Sequence, residues 1–246
     1  MDKNFKIIIQ YDGGRYQGWQ KLGDSTNTIQ AKFEAILEKM AGYPVEIHAS
    51  GRTDAGVHAY GQVANFKILS TFRSKEVMDY LNQYLPEDIA VVGIEEVSQR
   101  FHSRLSAVGK TYRYRVRNSR IPDVFSRKYV FRSEDEFDIS LMQKAAQQFV
   151  GEHDFKAFTS QKKTKKSTIR TIEEIRIERQ QEEIVFTYSG NGFLHHMVRI
   201  LTGTLLEIGK GNIQPDDIPV IMKSGMREKA GPLVPALGLS LMEVRY

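Results

Sequence analysis

Apolar side chains recur at every second residue at Phe5, Ile7, Ile9 and Tyr11, which predicts a strand with one buried face. Asp12-Gly13-Gly14 breaks it, and from Thr28 the period changes: Ile29, Phe33, Ile36, Leu37 and Met40 follow helical spacing until Gly42 and Pro44 stop the helix. Val45 to Ala49 and Gly61 to Leu69 read as strands. Val77, Leu81 and Leu85 mark a second helix that Pro86 terminates, and Ile89 to Val97 reads as a closing strand. A strand-helix-strand-strand-helix-strand order is that of the ferredoxin-like unit, which leaves few ways to pack the chain.

The second half repeats the order less clearly. A strand is predicted at Thr111 to Arg117, a helix at Ile139 to Phe149, and strands at Ile169 to Glu178 and Glu183 to Tyr188. A helix at Phe193 to Ile208, a shorter one near Asp216 to Met222 and a strand at Leu239 to Tyr246 complete it. The expected fold is therefore α+β: two ferredoxin-like (RRM-like) halves with antiparallel sheets, residues 1–104 and 105–246, with an active-site cleft between them, because grooves between domains are favoured sites.

Charge distribution points to a polyanionic partner. The 246 residues carry a formal net charge of +5. From Val97 to Pro122 there is no acid, while Arg100, Arg104, Lys110, Arg113, Arg115, Arg117 and Arg120 add seven positive charges. Lys162, Lys163, Lys165, Lys166 and Arg170 form a second acid-free run that reads as a flexible basic loop. The absence of cysteine removes disulfides, thiolate metal sites and thiol nucleophiles. The amino terminus lacks the pattern of a signal peptide, and no apolar run approaches the roughly 18 residues of a membrane span. A cytoplasmic protein with no membrane association is expected.

Ala49-Ser-Gly-Arg-Thr-Asp-Ala-Gly-Val-His-Ala59 has two glycines and little capacity to pack a core, the composition of a functional loop. It is no phosphate-binding loop, since Val57 and His58 follow Gly56 where lysine and a hydroxyl would be needed. That leaves Asp54 as a lone carboxylate, with Arg52 two residues before it. The segment Phe193 to Ile208 is apolar on most sides yet carries Arg199 in its middle, and a buried guanidinium requires a partner. Removing one member of such a pair costs ~3–5 kcal/mol. Asp54 is the expected partner, kept ionised by Arg199 and able to act as nucleophile or base. His195 and His196 are read as helix neighbours about 100° apart that share no face, so no metal site is expected. Along Thr111 to Arg117, Tyr112, Tyr114 and Val116 share one face and three arginines the other, an arrangement that suits RNA.

Taken together, these motifs resemble one family, the TruA-type tRNA pseudouridine synthases. The matching pieces are Tyr11-Asp-Gly-Gly-Arg-Tyr-Gln-Gly-Trp-Gln20, Gly51-Arg-Thr-Asp-Ala-Gly-Val-His-Ala59, Phe101-His-Ser-Arg104, Thr111-Tyr-Arg-Tyr114, His153-Asp-Phe-Lys-Ala-Phe158, Arg170-Thr-Ile172 and Phe193-Leu-His-His-Met-Val-Arg199. The resemblance implies a cofactor-free isomerase that converts uridines of the tRNA anticodon stem-loop, at tRNA positions 38 to 40, to pseudouridine. It implies Asp54 as the essential carboxylate, Tyr112 as the ring that meets the uracil and handles its C5 proton, and Arg199 as the partner of Asp54. Leu194 would form an apolar wall and Arg52 would hold the flipped nucleotide. Phe101, His102, Ser103, Arg104 and Leu105, with Lys162, Lys163, Lys165 and Lys166, would bind substrate, and a homodimer is implied. Ala230-Gly-Pro-Leu-Val-Pro-Ala-Leu-Gly-Leu239 departs from the family pattern by lacking a threonine, which bears on the pocket's details. Two rivals are weaker. A non-catalytic RNA-binding domain would need an RNP1-like strand, and an aspartate hydrolase would need a second acid or a metal beside Asp54.

Overall fold

β1 (Asp2–Tyr11) buries Phe5, Ile7, Ile9 and Tyr11 on one face while Ile8 and Gln10 on the other are exposed, so side-chain alternation alone sets which side meets the core. In this computed structural model, residues 2–23, 25–69, 71–161 and 167–246 are described. α1 (Ile29–Ala41) starts where the Thr28 hydroxyl accepts the Ala31 N–H at 3.3 Å and stops at Gly42, whose φ of 80° is the left-handed conformation that ends helices. It buries Ile29, Phe33, Ile36 and Leu37, each contributing about 1.5–3 kcal/mol when fully covered. β2 (Ile47–Ala49), β3 (His58–Leu69), α2 (Ser74–Tyr84) and β4 (Ile89–Val97) follow. Asn82 of α2 both donates to and accepts from the backbone of Val91 in β4 at 2.8 Å, which fixes that helix to its strand.

The chain divides into two units, Met1–Val108 with Ser240–Tyr246, and Gly109–Leu239. In the first, β1 pairs antiparallel with β3 and β4, and β2 pairs antiparallel with β3, giving the order β4-β1-β3-β2. That order and its two helices are those expected of a ferredoxin-like unit.

The second unit contains β5 (Gly109–Asn118), β6 (Phe131–Ser133), α3 (Ile139–Gln147), β7 (Gly151–Asp154), β8 (Ile169–Gln180), β9 (Glu183–Gly190), α4 (Met197–Gly209) and α5 (Ile218–Ser224). β5 pairs antiparallel with β9, β9 with β8 and β8 with β7, while β6 lies parallel on β5. β6 and β7, at three and four residues, are too short for their periodicity to be read in the sequence. The last strand, β10 (Leu239–Arg245), joins the first unit from Ser240 onward: Ser240 and Leu241 pair parallel with His58 and Ala59 of β3. By sequence order alone that strand falls to the second half, because strand patterning carries no information about the partner.

Candidate functional site

The segment from Ser50 to Val57 connects β2 to β3. It is anchored to the core at three points: Ser50, Thr53 and Val57 are buried, while Arg52 and Ala55 are exposed, and His58 and Ala59 already belong to β3. Polar side chains achieve this because their hydrogen bonds are met internally. Ser50 N–H donates to the Val63 carbonyl at 2.7 Å and Trp19 N–H to the Thr53 carbonyl at 3.0 Å. Thr53 Oγ1 pairs with Tyr11 Oη at 2.8 Å. Val57 N–H closes a turn on the Asp54 carbonyl at 3.2 Å, with Gly56 at a φ of 79°. Two glycines of the Tyr11 to Gln20 segment admit the loop: a Cβ on Gly13 would lie 1.9 Å from the Val57 carbonyl oxygen, and one on Gly18 2.7 Å from that of Thr53. Asp54, the first residue of this turn, is half-buried, and Arg52 is exposed.

A second strip of the first unit runs from Ser98 to Ser106. Asn4 Nδ2 donates to the carbonyls of Ser98 at 2.9 Å and Phe101 at 3.0 Å, and Asn65 Oδ1 accepts the Ser103 N–H at 2.8 Å. Ser103 is fully buried, its hydroxyl donating to the His48 carbonyl, so this residue anchors the strip. Phe101, His102, Arg104 and Leu105 keep accessible surface, Leu105 at 80% exposure. Phe101 packs on Tyr246 at 5.0 Å, with Lys6 Nζ over both rings, and His102 stacks on His48 at 5.0 Å. Burial, and after it the neighbouring His48, lower the pKa of His102 below its ordinary value, which favours the neutral ring.

In the second unit β5 places Tyr112, Tyr114 and Val116 on its buried face. Phe193 meets Tyr112 edge-on at 5.3 Å, and Tyr114 Oη donates to the Pro235 carbonyl at 2.8 Å. The opposite face is less available than its arginines suggest. Arg115 forms a two-pronged bond with Glu183, both arms at 2.8 Å, and Arg117 pairs with Glu182, so these charges are met by β9 and the turn before it.

Two expectations about the Phe193 to Ile208 segment change. The helix begins only at Met197, so Arg199 lies in its first turn, half-buried, and its Nε donates to the Val234 carbonyl at 2.8 Å. Leu194 is half-buried in the preceding turn, where its carbonyl accepts the Met197 N–H at 3.0 Å. His195 and His196 therefore are not helix neighbours splayed about 100° apart. His196 has a φ of 65°, its Nδ1 lies 2.8 Å from Ser160 Oγ, and the two imidazole centroids are 3.6 Å apart. Periodicity could not reveal this, since the apolar run is unbroken while the backbone turns.

The run 230–239 supplies the carbonyls of Val234 and Pro235 that orient Arg199 and Tyr114. It approaches α4 closely: a Cβ on Gly203 would lie 1.9 Å from the Pro232 carbonyl oxygen. No sequence signal marks those carbonyls, because backbone acceptors are independent of side-chain identity. Lys162, Lys163, Lys165 and Lys166 lie outside the described residues. No helix among the described residues is long and apolar enough to cross a membrane.

Comparison with known proteins gives concordant findings. A family model described as tRNA pseudouridine synthase matches residues 7–105 and 145–246. The chain is 49% identical over 243 residues to tRNA pseudouridine synthase A of Bacillus sp. (strain KSM-64), covering 99% of each chain. It is 45% identical over 244 residues to tRNA pseudouridine synthase A 1 of Clostridium tetani, covering 99% of this chain and 100% of that one. It is 42% identical over 243 residues to tRNA pseudouridine synthase A 2 of Bacillus anthracis, covering 99% of each.

Proposed function

This chain belongs to the tRNA pseudouridine synthase family, and we propose that it works through Asp54 as the reacting carboxylate. The reaction isomerises uridine in tRNA to pseudouridine. In it the N1–C1′ bond breaks, the uracil turns, and a C5–C1′ bond forms while C5 loses a proton and N1 gains one. Atoms and electrons balance within the substrate, so the conversion calls for no oxidant, reductant or carrier cofactor. What it requires is a carboxylate at the C1′/C2′ side of the ribose and an aromatic group against the base.

Asp54 suits the first role and Tyr112 the second. The observation that carries the reading is the construction of the Asp54 loop: a half-buried carboxylate on a backbone fixed by the Tyr11–Thr53, Trp19–Thr53 and Ser50–Val63 hydrogen bonds. A pre-set carboxylate need not be reorganised when the reacting ribose arrives. In this proposal Arg199 is the counter-charge to Asp54, Leu194 an apolar wall for the uracil, and Arg52 a ligand of the flipped nucleotide. The accessible members of Phe101 to Leu105, with Lys162, Lys163, Lys165 and Lys166, contact the tRNA, Arg104 and the lysines through its phosphates. The target is the anticodon stem-loop at tRNA positions 38 to 40. Extruding a stacked base costs a few kcal/mol, which basic surface offsets through phosphate contacts. We place the enzyme in the cytoplasm, where its substrate is.

A homodimer is also proposed, and the exposed apolar side chains of the β5–β6 connection support it. Phe125 is 91% exposed, Ile121 74% and Val124 56%, a cluster that a second copy would cover.

The catalytic assignment is tested with Asp54→Asn. The variant is expected to bind tRNA within about twofold of the parent while its turnover falls by about 10⁴-fold, the scale of losing a reacting group. Near-parental product formation would remove Asp54 from the chemistry.

A further inference from the structure

β3 carries two buried amide side chains, Gln62 and Asn65, in a run that is otherwise largely apolar. Their three-residue spacing sends them to opposite faces of the sheet. Gln62 stands opposite Ile9 on the face that buries Phe66 and Phe5, and Asn65 stands opposite Lys6 on the other. A buried amide is costly unless its donors and acceptor are used. Gln62 directs all of them onto or beside the Asp54 loop. Its Oε1 accepts from Ser50 Oγ at 2.8 Å and from the Val63 N–H at 3.1 Å. Its Nε2 donates to the Gly51 carbonyl at 3.0 Å and to Tyr11 Oη at 3.4 Å. Because Tyr11 Oη accepts from Gln62, its own proton is available to Thr53 Oγ1 at 2.8 Å. One amide and one phenol thus hold Ser50, Gly51 and Thr53, three of the four residues that lead into Asp54. Burial pushes the Tyr11 hydroxyl up to about 12, which keeps it a neutral donor.

We infer that Gln62 and Tyr11 are positioning residues for Asp54, setting through the relay Gln62–Tyr11–Thr53 the backbone from which its carboxylate projects. The inference rests on the reading of Asp54 as the reacting group. Both residues are fully covered or nearly so, Gln62 at 0% and Tyr11 at 4% exposure, which leaves them no surface for substrate. Their loss therefore touches the chemical step and spares tRNA affinity. A displacement on the order of 1 Å at a reacting group costs about 100-fold in rate.

The experiment measures single-turnover pseudouridine formation and tRNA affinity in parallel for the parental protein and for Tyr11→Phe, Gln62→Leu, Thr53→Val, Thr53→Ser and Asp54→Asn, with thermal unfolding to identify the folded variants. Tyr11→Phe, Thr53→Val and folded Gln62→Leu are expected to lose about 10-fold or more in rate with affinity within about twofold, while Thr53→Ser, which keeps the hydroxyl, retains the rate. If Gln62→Leu does not fold, Tyr11→Phe and Thr53→Val decide. Parental rates in the folded variants, rate and affinity falling together, or equal loss in Thr53→Ser and Thr53→Val overturns the inference. An active Asp54→Asn would refute the underlying reading. An inactive Asp54→Asn beside a fully active Tyr11→Phe would refute the positioning role alone.

Discussion

Gly13 shows how one hydrogen atom in place of a methyl group determines how the Asp54 loop packs. Its α-carbon faces the Val57 carbonyl so closely that no Cβ fits, and its N–H donates to His58 Nδ1 at 3.1 Å. The obstructing atom is backbone and has no rotamer to change. Gly13→Ala is therefore expected to lower stability by about 1–3 kcal/mol, the usual cost of overpacking, and to slow turnover because the Asp54 turn must shift. Gly23→Ala, where nothing lies within 4 Å of the added Cβ, serves as the control. Urea unfolding of both variants beside the parent checks this, and equal midpoints would contradict it. Arg199 makes the complementary point. Its Nε is oriented by the Val234 carbonyl, so the guanidinium is aimed by backbone. What the run 230–239 contributes to Arg199 is a carbonyl, which no particular side chain at 234 is needed to supply.

At the scale of elements, the strongest periodicities are legible in the sequence and the short or irregular pieces are not. β4 spans Ile89–Val97 as its β-branched run implies, and α1 starts after Thr28 because its cap and first apolar residue are adjacent in sequence. Asp54 is legible as well, as a carboxylate in a loop flanked by Gly51 and Gly56. The helix start at Met197 is not, because Phe193 and Leu194 continue the apolar run while the chain turns through His196. The amides of β3 are hidden for a related reason. Gln62 and Asn65 look like breaks in a hydrophobic strand, and only the bonds they make reveal why they are tolerated. The Nδ2 of Asn65 donates to Asn4 Oδ1 at 3.0 Å while its Oδ1 takes the Ser103 N–H at 2.8 Å, so one side chain ties β1 to the strip after β4. Asn65→Ala is expected to cost about 1–3 kcal/mol by leaving buried groups unpaired, and to weaken tRNA binding more than turnover by loosening the Phe101 to Leu105 strip. Equilibrium unfolding and tRNA titration test both parts; unchanged affinity would detach that strip from RNA.

At the scale of the whole molecule, family membership supplies the reaction, and the chain's own residues supply the proposal for how it is carried out. The exposed cluster at Ile121, Val124 and Phe125 makes the proposed dimer testable independently of catalysis. Phe125→Asp is expected to shift the protein toward monomer in light scattering, since burying a carboxylate in an apolar contact is unfavourable, while leaving the fold intact. An unchanged mass would remove this surface from any contact between copies. The most direct test of the central claim is to map pseudouridine in tRNA from cells that lack this protein and have been given back either the parental chain or Asp54→Asn. Modification of the anticodon stem-loop is expected to return with the parental chain and to stay absent with the variant. Restoration by both would contradict it.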